Sequence, residues 1–507
     1  MNETATNSRS TLRWPKIDLR YLAWFSLLVA FGGLATLFPL FWVGALAALA
    51  LLAFCWLLFL GIRRAGLQFW QALAISTLTG YLVLNYGFDN LAIHVGSFPI
   101  LISYGAMYTS FALCLMARRE SIADVLNEPA LLCIFAILLL SFVHLLSDVP
   151  AYGTWAFRDC TMCFDAIFLL MGLLWSMKSE SIQFITKWLM IIFVLNMLYS
   201  FTLPWAETIW SWSPQSGAFI TVPLFGNYSG SGDILLEGAV FCICFGGYVI
   251  SRPRWLMPLL TIGQLLGIAV TQVRRMYLGI VVVIVILILA GEIKKFARIF
   301  LLVPVAVGVL VLVTSIGGLQ ITGRIGPVNL DFFKDHIRSM SGDKDMPGSS
   351  VESRFTMVDE AMDHFYTHPI FGVGFGQALL EDTDPITGAV TRMPHDSSIT
   401  YLARLGVVGF IIWVVLHLCF LQRFFVAYRR RHSCDKRLYT LALWFFLFYI
   451  MFMIGSFVEG PFEYPSKAIP FYFLMGFGLG VIRWHLLPST ALSATLPVTT
   501  QPQGTAL

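Results

Sequence analysis

Hydrophobic residues in this chain come in unbroken blocks of roughly 20, separated by short polar breaks, from about residue 21 to residue 484. A helix of about 20 apolar residues matches the thickness of a bilayer's hydrocarbon core. The pattern therefore predicts an all-α fold, a polytopic helical membrane protein with about 14 transmembrane spans (12–14). The expected spans lie near 21–38, 41–61, 66–85, 97–116, 129–147, 161–177, 183–203, 234–251, 255–271, 277–291, 298–317, 399–421, 438–458 and 468–484.

Composition agrees with that pattern. Hydrophobic residues make up 58% of the 507 and charged residues only 12%, whereas soluble domains have about 25% charged residues. A net charge of +4 argues for no nucleic-acid partner. The basic, polar residues 1–20 (Arg9, Arg13, Lys16, Arg20) lack the short apolar core of a signal peptide and predict a cytoplasmic tail. Lys and Arg then collect at alternate ends of the spans, as at Arg118-Arg119, Lys294-Lys295 and Arg429–Arg431. By the positive-inside rule these ends and both termini are cytoplasmic. Residues 21–317 form an N-terminal bundle, 318–398 a large external loop, 399–486 the C-terminal spans and 487–507 a disordered tail. The nine cysteines are scattered mostly inside apolar runs, which suits core packing, with Cys160 and Cys163 spaced for a disulfide as the alternative.

The large loop holds the longest polar stretch. Its twelve Asp and Glu outnumber its six Lys and Arg, as fits a translocated segment. Residues near 340–350 have linker composition. Between Val351 and Tyr366, Phe355, Met357, Val358, Met362 and Phe365 recur at helical spacing and predict an amphipathic helix on the membrane face. Gly372, Gly374 and Gly376 make a turn; no strand precedes them, so a nucleotide loop is excluded.

Charges that break the topology pattern are the candidates for chemistry. Arg274 and Arg275 fall at the outer end of a span, on the side of the large loop. Boundary arginines are costly and are retained for function, and a guanidinium fork suits phosphate oxygens. Arg354 opens the amphipathic helix on the same face, as a further phosphate ligand or as a surface ion-pair partner. His395 directly precedes a span and has the proton affinity of a general base. Asp396 either orients that site or caps the following helix. Asp233 and Glu237, one turn apart, are positioned to hold a hydroxyl-rich acceptor or to form an internal structural pair. Arg158 and Asp159 are an ion pair at a helix start, with Arg158 also a candidate acceptor contact. Trp205, Trp210 and Trp212 suit the interfacial aromatic belt, or stacking on sugar rings. No metal motif is present, and no cofactor is expected.

Taken together, Thr271 to Arg274 opening a span, SRF followed by HPIFGVGFG, and a His before a span that continues as ARLGVVGF resemble the O-antigen ligase and O-antigen polymerase superfamily. The resemblance covers roughly residues 222–420. Asp396 stands where Asn is common in the family, and Arg275 doubles the family's arginine. The resemblance implies a GT-C-like, bacterial inner-membrane glycosyltransferase with a multi-helix body and a periplasmic active site. Such enzymes move a glycan from undecaprenyl diphosphate to a hydroxyl acceptor without a metal or nucleotide sugar. The acceptor is lipid A core for a ligase, a second lipid-linked glycan for a polymerase, or a protein. Arg274 or Arg275, with Arg354, would hold the diphosphate, and His395 would activate the acceptor. The rival class is a lipid-linked glycan flippase, which calls for cationic groups along the depth of a cavity.

Overall fold

A computed structural model of the protein describes residues 66–95, 98–217, 222–226, 228–250, 253, 255–312, 321–324, 326–328, 334, 350–380 and 392–487. The expected spans at 21–38 and 41–61, the N-terminal tail, the linker near 340–350 and the tail after Pro488 lie outside the described residues. The other expected spans are each built on helix. In chain order these are α1 (Phe69–Leu84), α2 (Ile102–Ala117), α3 (Pro129–Tyr152), α4 (Thr154–Phe164), α5 (Phe168–Ser176) and α6 (Ser179–Ser200). After the short α7 (Ala206–Trp212) come α8 (Tyr228–Phe241), α9 (Leu256–Thr271), α10 (Arg274–Leu289) and α11 (Ile293–Val311). The amphipathic α12 (Ser350–Thr367) follows, then α13 (Ser397–Arg429), α14 (Lys436–Ser456) and α15 (Pro465–Gly480).

Among the described residues, six helices are long and apolar enough to cross a membrane: those at Pro129–Tyr152, Ser179–Ser200, Gly230–Val249, Ser397–Arg429, Lys436–Ser456 and Pro465–Leu486. The protein is a helical membrane protein. Within the expected run 161–177 the helix tightens to a 3-10 turn at Asp165–Ile167 between α4 and α5, with helical backbone continuing through it. One expectation needs correction. The fold also contains two small antiparallel hairpins. β1 (Ala92–Val95) pairs with β2 (Phe98–Leu101), and β3 (Gln215–Ser216) with β4 (Val222–Pro223). The helix expected from residue 97 therefore starts at Ile102.

The bundle closes around α15. In its most apolar window 89% of residues are buried, against 33% for α3, so α15 is central and α3 faces outward. Glycines set the closest approach. A Cβ at Gly476 would lie 2.0 Å from the Leu169 carbonyl oxygen, and one at Gly172 2.1 Å from that of Phe473. Only glycine lets α5 and α15 pack this closely, and lipid-immersed helices rely on such contact because burial between helices brings little hydrophobic gain. Trp175, Trp444, Phe241 and Phe245 fill the interior beside them.

A break in α13 prepares the site. Gly406 has φ 64° and ψ −166° inside the helix. A helix broken there releases backbone groups that must find partners. The glycine turn after α12 supplies them: Val373 and Gly374 donate to the Ala403 and Arg404 carbonyls at 2.9 and 3.0 Å, while Val407 and Val408 donate to Pro369 and Ile370 at 2.9 and 3.2 Å. Positive φ at Gly372 (75°), Gly374 (76°) and Gly376 (95°) lets the turn follow the helix backbone. The two glycine-containing motifs thus form one interlocked unit.

Candidate active site

The turn between α9 and α10 presents the first cations. Gln272 takes a left-handed conformation (φ 56°) that ends α9, and α10 begins at Arg274 with no side-chain cap from Val273. The positive end of the helix dipole therefore lies at the residues that carry Arg274 and Arg275. Arginines in a first turn oppose the dipole, whereas an anion there satisfies both. Residues 321–324 and 326–328 dock onto this turn. Arg324 donates to the Thr271 carbonyl at 3.2 Å, and the Gln272 amide exchanges bonds with the Gly326 backbone at 3.1 and 3.3 Å.

The two arginines have different surroundings. Arg275 is buried, and its guanidinium grips Asp233 through Nε (2.9 Å) and Nη2 (2.5 Å) and touches Glu459. Lys467, near the start of α15, also pairs with Glu459 and lies 3.5 Å from Asp233. Arg274 is half-buried, and among the described residues no carboxylate pairs with it. Both Asp233 oxygens face cations, and the carboxylate holds Arg275 in place. Glu237 lies one turn deeper, buried, next to α14, whose Trp444 donates to the Glu237 carbonyl at 3.2 Å.

Arg354 and His395 meet this cluster. Burial, and then the charges of Arg275 and Arg274, hold the Arg354 and Arg324 guanidiniums below their ordinary values. Burial lowers His395 first, followed by the charges of Arg354 and Lys467. The imidazole is therefore neutral at pH 7 and ready to take a proton. Five cations (Arg274, Arg275, Arg324, Arg354 and Lys467) face Asp233, Glu459 and the deeper Glu237. The excess is positive and centred on the start of α10. The site suits an anion of more than one charge.

Asp396 caps α13, accepting from the Ser398 and Ile399 amides at 2.8 and 3.2 Å. It fixes the backbone that carries His395. The expected Arg158–Asp159 pair is present at 3.8 Å, and Arg158 also lies over the Trp155 ring. Asp159 is the hub of a different network: it takes Arg404 at 2.9 Å, Arg392 at 3.2 Å and the Gly376 amide at 3.2 Å. That network pins the glycine turn to α4.

The structure thus gathers Arg274, Arg275, Arg354 and His395 at one end of the bundle, and adds Arg324, Lys467 and Glu459, which sequence reasoning missed. Lys467 and Glu459 did carry a signal, as charges flanking PFEYPS between two apolar runs. Arg324 carried none, being one cation in a long polar loop. Among the described residues no group of three or more His, Cys, Asp or Glu is placed to hold a metal. No curated protein matches the chain. Residues 259–414, which include Arg274, Arg275, Arg324, Arg354, His395 and the Gly406 break, match the family model described as O-antigen ligase.

Proposed function

We propose that the protein transfers a glycan from undecaprenyl diphosphate to a hydroxyl acceptor at the end of the bundle that carries His395. The observation that carries this reading is the cationic cluster at the uncapped start of α10, beside an imidazole held neutral. In the proposed step the acceptor oxygen attacks the anomeric carbon, and the bond from that carbon to the diphosphate oxygen breaks. The electron pair leaves with undecaprenyl diphosphate, and the acceptor's proton passes to His395. Negative charge grows on the diphosphate as the bond breaks, so Arg274, Arg275 and Arg354 stabilise the transition state more than the ground state. No metal or other cofactor is required, because the arginines answer the diphosphate charge.

The acidic large loop and the basic residues at the far end of α13 support a periplasmic site in a bacterial inner membrane with both termini cytoplasmic. The acceptor is lipid A core, a second lipid-linked glycan or a protein hydroxyl. The test is release of undecaprenyl diphosphate by detergent-purified protein supplied with lipid-linked glycan and each acceptor. Wild type should release it, and His395→Ala and Arg354→Ala, still folded, should not. Product size then separates one-step ligation from polymerisation. Movement of lipid-linked glycan across liposomes without release would instead identify a flippase.

A further inference from the structure

Beside the cationic cluster lies a cavity of about 190 Å³ whose walls include Tyr86, Asp89, Asn90, Arg158, Glu463 and Tyr464. Its chemistry differs from the cluster's, since carboxyl groups and tyrosine rings outnumber the one arginine named in its wall. Asp89 is 5% exposed, and its Oδ2 accepts from Ser466 at 2.5 Å, while Oδ1 is buried without a hydrogen-bond partner among the described residues. An unpaired buried carboxylate oxygen is expensive, and this one belongs to a side chain that forms a wall of open space. Glu463 accepts from Thr400 at 2.5 Å. Burial raises Asp89 to about 7 and Glu463 to about 8, so near neutral pH each carboxyl can donate as well as accept.

The cavity adjoins the site already described. Met393, two residues before His395, forms part of its wall. Thr400, which holds Glu463, is in the first turn of α13. Lys467 interacts with Asp89 on this side and with Asp233 on the other. His395 and Lys467 thus stand between a cationic compartment and one whose wall is mainly carboxyl groups, an amide and tyrosine rings, with Arg158 beside them. The second offers a diphosphate far less positive charge than the first. It suits a neutral, hydroxyl-rich ring with hydrogen-bonding edges and faces that pack on aromatics, and its size takes one ring, not a chain.

We infer that this cavity binds the acceptor sugar, with Asp89 and Glu463 holding the hydroxyls of the ring that presents its nucleophilic oxygen toward His395. The inference rests on the transferase reading above and assigns the acceptor its own compartment. Asp89 and Glu463 are binding residues in it, and the donor is held elsewhere.

The experiment compares detergent-purified wild type with Asp89→Asn, Glu463→Gln and Thr154→Trp. Thr154 is exposed at the cavity mouth, so the tryptophan blocks entry without touching the buried carboxyls and guards against misfolding of the first two. Acceptor KM is measured with rough lipid A core and with unlabelled lipid-linked glycan. Donor-side affinity is measured separately, as direct binding of sugar-free undecaprenyl diphosphate. A lost hydrogen bond to a charged or strongly polar group costs about 1.5–3 kcal/mol, so acceptor KM should rise at least about tenfold in each variant. The undecaprenyl diphosphate Kd should stay within about twofold. Unchanged acceptor KM in the folded Thr154→Trp protein overturns the inference and leaves the transferase reading intact. A parallel loss of undecaprenyl diphosphate binding also overturns it, since the cavity would then serve the donor. If wild type binds undecaprenyl diphosphate but turns over no acceptor, both readings fall together.

Discussion

Arg404 and Asp159, 245 residues apart in sequence, meet at 2.9 Å with neither side chain exposed to solvent. Arg404 also donates to the Gly374 carbonyl at 3.0 Å, and Asp159 accepts the Gly376 amide at 3.2 Å. The pair therefore fastens α4, the glycine turn and α13 to one another, at the junction from which the chain continues to His395. Its position makes it a support of the site, because both side chains are shut off from solvent and spend their contacts on each other and on the glycine-turn backbone.

Breaking this pair should destabilise the fold strongly. Removing one partner of a buried ion pair leaves an uncompensated charge and costs about 3–5 kcal/mol. Arg404→Met and Asp159→Asn should each lower the thermal midpoint of the detergent-purified protein by many degrees. The double variant should recover part of that loss, since it removes both charges of the pair, while Arg392 still loses its carboxylate contact. Simple additivity of the two losses would show that the side chains act independently.

Gly406 invites a second substitution. An alanine Cβ there would sit 2.3 Å from the Ile370 carbonyl oxygen, at a φ of 64°. The left-handed conformation alone costs a non-glycine residue about 1–2 kcal/mol, and the backbone clash adds to it. Gly406→Ala should lower both stability and undecaprenyl diphosphate release. Gly105→Ala, with nothing near the added methyl, is the neutral control. Equal thermal midpoints for the two would show that the turn tolerates displacement from α13.

The sequence made some of this visible and hid the rest for physical reasons. Helices such as α3, α13 and α14 were legible because their apolar runs satisfy bilayer length by themselves. The amphipathic α12 was legible from the 3.6-residue recurrence of Phe355, Val358 and Met362. Arg274, Arg275, Arg354 and His395 stood out as polar groups at membrane boundaries, and the structure brings them together. Partnerships were not legible. Nothing in the residue order indicates that Asp159 serves Arg404 and Arg392 in preference to its neighbour Arg158, because that choice is made by packing across hundreds of residues. The same holds for Glu128, whose buried carboxylate binds Arg423 at 3.0 Å through two contacts and Arg483 at 3.0 Å, at the end of α13 away from His395. The two hairpins escaped because strands of two to four residues cannot be told from helix ends by periodicity.

The proposed role of His395 as the base predicts a pH dependence of transfer. Burial, then Arg354 and Lys467, disfavour its imidazolium, so its pKa lies below the ordinary value of about 6.5. The base is active when neutral. Transfer should therefore persist down to a pH below that value and fall as acidity protonates the ring. Arg354→Gln removes one of the opposing charges and should move the acid limb toward higher pH, apart from any loss of rate. A limb that stays in place in Arg354→Gln, or moves lower, would exclude His395 as the titrating base.

Arg274 and Arg275 should separate by experiment as they do by environment. Arg275 is buried between Asp233 and Glu459, so Arg275→Ala leaves two carboxylates with Lys467 as their nearest cation and should lower the thermal midpoint. Arg274 has no carboxylate partner among the described residues, and Arg274→Ala should leave the midpoint close to wild type. Its loss should appear in ligand binding. A charge-assisted contact is worth about 1.5–3 kcal/mol, or roughly 10- to 100-fold in the Kd for undecaprenyl diphosphate. Inorganic pyrophosphate should compete with that lipid for wild type and far more weakly for Arg274→Ala, because the competition depends on charge and not on the lipid tail. Raised salt should weaken the wild-type interaction more than the variant's, since screening acts on the contact the variant has lost. If Arg275→Ala keeps its midpoint and loses binding while Arg274→Ala binds normally, the buried arginine is the phosphate ligand, and Asp233 and Glu459 release it when the donor arrives.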